Sequence, residues 1–267
     1  MGIPDQRARI WKKDWNYLIV LDACRYDYFE KVYKKYPILR RGRLEKVCSP
    51  GSSTREWLLS VFGNRRYDDV VYISANPFVN SKGIPYRGFD PKRYFRFHKI
   101  VDVWDFGWVE EWKTVHPGEV NKAVLVAVEL YRNKNFVIHY MQPHYPYLRF
   151  NVRAGFSDRL KGVVRREIAD MLGEGRLRKL VRRFIGLLPS DIELLARKGG
   201  VRGVRRAYEE NLEIVLGYVA RLLRHLHGKV VVTADHGELL GERGMFDHPY
   251  GKRFPELIEV PWLEVLK

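Results

Sequence analysis

A run of β-favouring residues, Val230-Val231-Val232-Thr233, stops abruptly in Ala234-Asp235-His236-Gly237-Glu238. Such a run reads as a buried strand, and its end sets a carboxylate and an imidazole side by side at the carboxyl edge. In open α/β sheets that edge is where ligands bind. Asp and His suit Zn, Mn or Mg as ligands. Gly237 allows the backbone to turn tightly beside an ion. A second histidine, His248, follows twelve residues after His236, beyond a turn containing Gly241 and Gly244. The stretch therefore points to a metal-dependent hydrolase.

The rest of the chain supports a sheet of the right kind. Residues 16–21 (NYLIVL) read as a buried strand ending at Asp22, with a helix over 26–36. A small-residue loop spans 48–54, and apolar spacing predicts a helix over 55–62. Further strands are expected at 70–75, 99–104, 135–140, 229–234 and 260–266, with a long aromatic loop at 76–98. Helices are expected at 117–131 and 204–226. Strands alternating with helices imply an α/β fold: a doubly wound, mostly parallel sheet flanked by helices. No internal repeat is visible, and residues 1–267 read as a single domain.

Composition narrows the setting. No stretch of about 18 apolar residues exists, so no membrane-spanning helix is expected. The first fifteen residues are too polar for a signal peptide, which points to a cytoplasmic location. Cys24 and Cys48 are expected to be reduced thiols rather than a disulfide framework. Two glutamines, 30% charged residues and abundant Arg lean towards a thermophile. The net charge is +16, and residues 149–206 hold 16 Lys/Arg against 6 Asp/Glu, a net of +10. This segment reads as a basic helical insertion, with amphipathic helices over 158–198. It suits peripheral association with an anionic membrane or polyanion. Specific nucleic-acid binding is not expected, because no interleaved aromatic and basic recognition motif accompanies it.

Three strands end in polar groups: Asp22, His139/His144, and Asp235-His236. At this point a resemblance emerges. Asp22-Ala-Cys-Arg25-Tyr-Asp27 after a strand resembles the D-S-L-R-x-D opening of sulfatase-like proteins. T-A-D-H-G-E-L-L-G-E-R-G, then His248, then Val260-Pro-Trp262, resembles that family's C-terminal signature. His144-Tyr-Pro-Tyr147 resembles its H-x-P-Y/F loop. The chain thus resembles the sulfatase-like branch of the alkaline phosphatase superfamily, over roughly residues 16–63, 135–147 and 204–262.

The resemblance implies Asp22, Asp235 and His236 as ligands of one divalent ion (Mn, Zn, Mg or Ca). It implies Thr54 as the nucleophile, with Ser53 and Ser52 as alternatives. His144 would contact substrate or protonate the leaving group, and His248 would bind substrate or a second metal. Arg25 and Arg55 would clamp the oxygens of an anionic ester. Sulfatases mature a Cys within C-x-P-S-R, whereas Cys48-Ser-Pro-Gly-Ser lacks the Arg. A Ser/Thr nucleophile suggests phosphoester chemistry, so the expected activity is a metal-dependent hydrolase or transferase of phosphate or sulfate esters. The physics agrees: a hydroxyl titrates far above neutrality and needs a cation to become a nucleophile.

Plainer readings exist beside these. Asp22 and Thr54 could cap helices, Arg25 could pair with Asp27, and His139 could be a buried strand histidine. Glu238 and Glu242 could be supporting or exposed residues, and the aromatic loop could simply pack. The competing function is a catalytically inactive scaffold that binds anionic polymers or membranes through its basic segment.

Overall fold

The computed structural model describes residues 2–149 and 191–265. Seven strands form the central sheet: β1 (Tyr17–Asp22), β2 (Arg43–Cys48), β3 (Arg65–Ser74), β4 (Phe95–Asp102), β5 (Asn135–Pro143), β6 (Val230–Ala234) and β7 (Glu259–Val265). Their order is β2-β7-β6-β1-β5-β3-β4. β1 pairs in parallel with β5 and β6, and β3 in parallel with β4 and β5. Only β7 runs against its neighbours. Every residue of β1 and β6 is buried. That explains their continuous apolar sequence, because a central parallel strand has helices over both faces.

The flanking helices are α1 (Gln6–Trp11), α2 (Tyr26–Val32), α3 (Thr54–Phe62), α4 (Pro117–Leu130) and α5 (Asp191–Leu222). α1 packs on α3, while α2 and α4 pack on α5. α5 is broken at Gly200, whose φ of +69° no other residue type adopts cheaply. Of the basic segment expected at 149–206, residues 150–190 lie outside the described residues. So do most of the helices expected at 158–198. No described helix is long and apolar enough to cross a membrane. Cys24 and Cys48 are both free thiols.

Several expected elements change length. The strand expected at 70–75 begins at Arg65, and the one expected at 99–104 begins at Phe95, inside what reads as loop. The helix expected over 26–36 gives way after Val32 to a 3₁₀ turn. α1 and β2 have no counterpart in the sequence reading. β2 lies at the sheet edge and is mostly half-exposed, so its Arg43, Glu45 and Lys46 break the apolar run that marks a strand.

Sheet register positions the functional edge. β1 and β5 pair evenly from Tyr17 to Leu21, then slip, so that Asp22 aligns with Pro143 rather than Met141. Such a bulge re-aims the side chain that follows it. The next residue, Ala23, has φ +58°, a left-handed turn that carries the chain off the sheet.

Candidate metal and nucleophile site

Four side chains from distant parts of the chain meet beyond this edge. Asp22 ends β1, Thr54 opens α3, and Asp235-His236 follow β6. All four are buried. His236 Nε2 lies 3.6 Å from Asp22 Oδ1, 3.4 Å from Asp235 Oδ2 and 3.2 Å from Thr54 Oγ1. A tetrahedral ion with ligand bonds of about 2.0–2.1 Å sets its ligands roughly 3.3–3.4 Å apart. The observed spacings therefore suit four donors around one ion.

The hydrogen bonds leave the donors facing inward. Asn76 Nδ2 donates to Asp22 Oδ2 (2.9 Å). Asp235 Oδ1 accepts the backbone N–H groups of Ala23 (3.0 Å) and His236 (2.8 Å). The other oxygens, Asp22 Oδ1 and Asp235 Oδ2, are buried without a partner. An orphaned buried acceptor costs about 1–3 kcal/mol, more when charged. His236 Nδ1 donates to the Gly237 carbonyl (2.7 Å), which leaves the Nε2 lone pair for the centre. The donor set, two carboxylates, a neutral imidazole and a hydroxyl, fits a divalent cation.

The protonation states follow from these contacts. Burial pushes the His236 pKa down to about 4, so the ring is neutral near pH 7. Burial and the adjacent Asp235 raise Asp22 well above the ordinary carboxylate range. Burial opposes ionisation of Asp235 too, but His236, His139 and the Ala23 N–H outweigh it and hold its pKa low. Two carboxylates this close do not share a dry site both ionised unless a cation joins them.

The serines expected as alternatives to Thr54 are turned elsewhere. Glu56 Oε2 accepts from Ser52 N (2.9 Å), Ser52 Oγ (2.7 Å) and Ser53 Oγ (3.2 Å). Ser53 is the N-cap residue, so Thr54 is the first helical residue and its hydroxyl faces His236.

A second cluster adjoins the first. His144, Glu238 and His248 bring one ligand atom each within 4.8 Å of one another. The His248 ring lies 4.4 Å from that of His236 and 5.0 Å from that of His144. His248 Nδ1 faces Asp247 Oδ1 (2.8 Å) and Glu238 Oε1 (3.3 Å). Burial opposes charging His248, but Glu238 and Asp247 prevail and raise its pKa well above the ordinary value. Glu238 is fully buried, and its Oε2 has no partner. Its position in the DHGE loop was visible in the sequence, but its burial was not.

The arginines part company. Arg25 donates to both oxygens of Asp27 (3.0 and 2.7 Å) and to Glu242 Oε1 (2.9 Å). This is the plainer pairing with Asp27 that the sequence admits. Arg55 lines an open cleft of about 440 Å³ with Thr54, His248, Phe78, Arg87 and Tyr250. Its guanidinium lies over the Phe89 ring, 5.3 Å from the centroid. His144 Nδ1 donates to the Tyr145 carbonyl, and its backbone N–H donates to the Asp22 carbonyl (3.1 Å).

No family model and no curated protein matches the chain. Solved structures do. The soluble domain of lipooligosaccharide phosphoethanolamine transferase A from Neisseria meningitidis is 16% identical, with a TM-score of 0.58 over 93% of this chain and 75% of that one. The C-terminal periplasmic domain of EptC from Escherichia coli, in complex with Zn, is 11% identical, with a TM-score of 0.54 over 94% and 72%. BT4656, in complex with its substrate D-glucosamine-2-N,6-O-disulfate, is 14% identical, with a TM-score of 0.51 over 95% and 71%. The mostly parallel seven-stranded sheet of this chain, with its flanking helices, therefore has the fold of these solved structures, as the sequence led one to expect.

Proposed function

We propose that the chain is a metal-dependent phosphoryl-type transferase or hydrolase, with Thr54 as nucleophile and Asp22, Asp235 and His236 as ligands of a divalent ion. One observation carries the reading: the Thr54 hydroxyl sits 3.2 Å from His236 Nε2, in the same dry site as two carboxylate oxygens that lack partners. When bound, the ion supplies positive charge that favours the Thr54 alkoxide and draws in an anionic ester. Thr54 Oγ1 gives up its proton to water in the cleft and attacks the central atom of the ester. The bond to the ester oxygen breaks, and that oxygen leaves with a proton. The group is carried on Thr54 until water or an acceptor hydroxyl takes it and Thr54 regains its proton. The charged His248 faces the same cleft as Thr54 and holds a proton where a leaving oxygen needs one. Arg55 holds a non-bridging oxygen at the cleft wall.

The similarity to phosphoethanolamine transferase domains supports a phosphate over a sulfate ester. So does Thr54, since the sequence lacks the cysteine signature of sulfatase maturation. The test is turnover of aryl phosphodiesters, phosphomonoesters and sulfate esters with Zn, Mn, Mg or Ca, for the wild type and Asp235→Ala. Metal-dependent turnover of phosphoesters, lost in the variant, is expected. Equal metal content and equal turnover in both proteins would sink the reading.

A further inference from the structure

The chemistry just proposed leaves one buried group at the site unused. His139 lies on β5, fully buried, in register with Val20 of β1 and Ser74 of β3. Its Nδ1 is 2.8 Å from the hydroxyl of Tyr72, another fully buried residue, on β3. Its Nε2 has no hydrogen-bond partner and lies 3.8 Å from Asp235 Oδ2. The Trp57 ring meets the imidazole edge-on, with centroids 6.1 Å apart.

Counting hydrogens assigns the tautomer. Among the described residues the Tyr72 hydroxyl meets no acceptor other than His139 Nδ1. A phenol that only accepted there would leave its own hydrogen buried and unmatched. Tyr72 therefore donates, Nδ1 accepts, and the proton of the neutral ring sits on Nε2. The Nε2–H then lies 3.8 Å from Asp235 Oδ2, beyond hydrogen-bond length, and meets no other acceptor among the described residues. A metal ligand at Nε2 would need the opposite tautomer and would orphan the Tyr72 hydrogen.

We propose that Tyr72 and His139 form a buried relay that orients the Asp235 carboxylate for its ion. Tyr72 fixes the imidazole, and the imidazole steadies Asp235 Oδ2. His139 is thus a positioning residue. Ala23 and His236 hold Oδ1 by hydrogen bonds, and the relay sets an N–H dipole 3.8 Å from the unbonded Oδ2. The inference rests on the reading of Asp22, Asp235 and His236 as a cation site.

The test measures Zn and Mn affinity by competition with a chromophoric chelator. The proteins are the wild type, His139→Leu, His139→Gln, Tyr72→Phe and Asp235→Ala, each checked for its melting transition. Removing the partner that orients a ligand weakens metal binding by about 10–100-fold, and His139→Leu is expected to do so. His139→Gln carries an N–H at the place of Nε2–H and is expected within roughly threefold of wild type. Tyr72→Phe frees the tautomer and is expected to fall between. Wild-type affinity in His139→Leu overturns the relay. So does a Gln variant as weak as the Leu variant, since that marks a lone pair on the metal. If His139→Leu does not fold, an undiminished affinity in Tyr72→Phe overturns it alone. Asp235→Ala separates the two readings. Loss of metal there with none in His139→Leu removes only the relay, whereas wild-type affinity in Asp235→Ala removes the cation site as well.

Discussion

The two histidine clusters at the sheet edge use the same residue types, yet their imidazoles are driven in opposite directions. At His236 the second ring nitrogen meets a backbone carbonyl, and burial keeps the ring neutral with its lone pair turned to Asp22, Asp235 and Thr54. At His248 the corresponding nitrogen meets two carboxylates, Glu238 and Asp247, and the ring holds a proton. One cluster is suited to receive a cation and the other to donate a proton or hold an anion. Titratable groups pushed apart by their surroundings mark a division of labour. The lesson is that a histidine's role is set by the group behind it more than by the histidine itself.

The largest expected effect separates the nucleophile from the cation site. Thr54→Val keeps the shape but removes the hydroxyl. Turnover should fall by at least about a thousandfold while metal affinity changes little. Thr54→Ser should retain a measurable part of the rate, and Ser52 and Ser53 should not rescue Thr54→Val, because both are bonded to Glu56. A Val variant that also loses its metal would mean that Thr54 belongs to the cation site more than to the chemistry.

Stability against pH tests the comparison directly, in metal-free protein. His236 titrates near 4 folded and near 6.5 unfolded. Below about pH 6.5 the unfolded chain takes a proton that the folded chain refuses. The His236 contribution is thus fully present above 6.5 and is lost as pH falls towards 4, by on the order of 3 kcal/mol. His248 has the opposite sign. Its folded pKa is raised, so its contribution is full below the unfolded value and is lost as pH rises through the folded value. Denaturant melts from pH 4 to 9 should show His236→Gln flattening the acid limb and His248→Gln flattening the alkaline one. Both variants altering the same limb would end the distinction between the clusters.

A smaller effect is expected on the rate from His248→Gln, about a hundredfold in turnover, as for loss of a positioned proton donor. The deficit should shrink for esters with good leaving groups, which need no proton. A uniform deficit across leaving groups would make His248 a binding residue instead.

How far the sequence foresaw this site depends on the distance over which each feature is determined. β1 and β6 were legible because a strand buried on both faces is strongly apolar, and β5 through its Phe136-Val137-Ile138 run; the polar groups at or after their ends were legible as lying at one edge. β2 was not, since a charged edge strand looks like a loop. The short α1 was also missed, although its Gln6 is fully buried and donates to Thr233 Oγ1 (2.8 Å) and the Ala234 carbonyl (2.6 Å) beneath the DHGE loop. Asn76 against Asp22 and Tyr208 against the Ala23 carbonyl join positions 54 and 185 residues apart. No local pattern announces such pairs. The left-handed Ala23 was equally hidden, since alanine gives no turn signal.

Arg25 and Arg55 provide the finest test, because the sequence assigns both to the substrate and the structure surrounds them differently. The Arg25 side chain is 8% exposed and bound to Asp27 and Glu242, so its charge is already answered. Arg205 also donates to Glu242 (3.0 Å), which ties α5 to the loop after β6. Removing Arg25 takes away a buried cation and leaves Glu242 with only Arg205 and the Leu240 N–H, so Arg25→Ala should lower the melting temperature and leave KM unchanged. Arg55 lies on the open cleft beside Thr54, and no described carboxylate pairs with it. Arg55→Ala should raise KM by roughly fivefold, about 1 kcal/mol, at an unchanged melting temperature. If Arg25→Ala instead raises KM at constant stability, substrate draws Arg25 out of its ion pairs, and the Glu242 loop moves with the reaction.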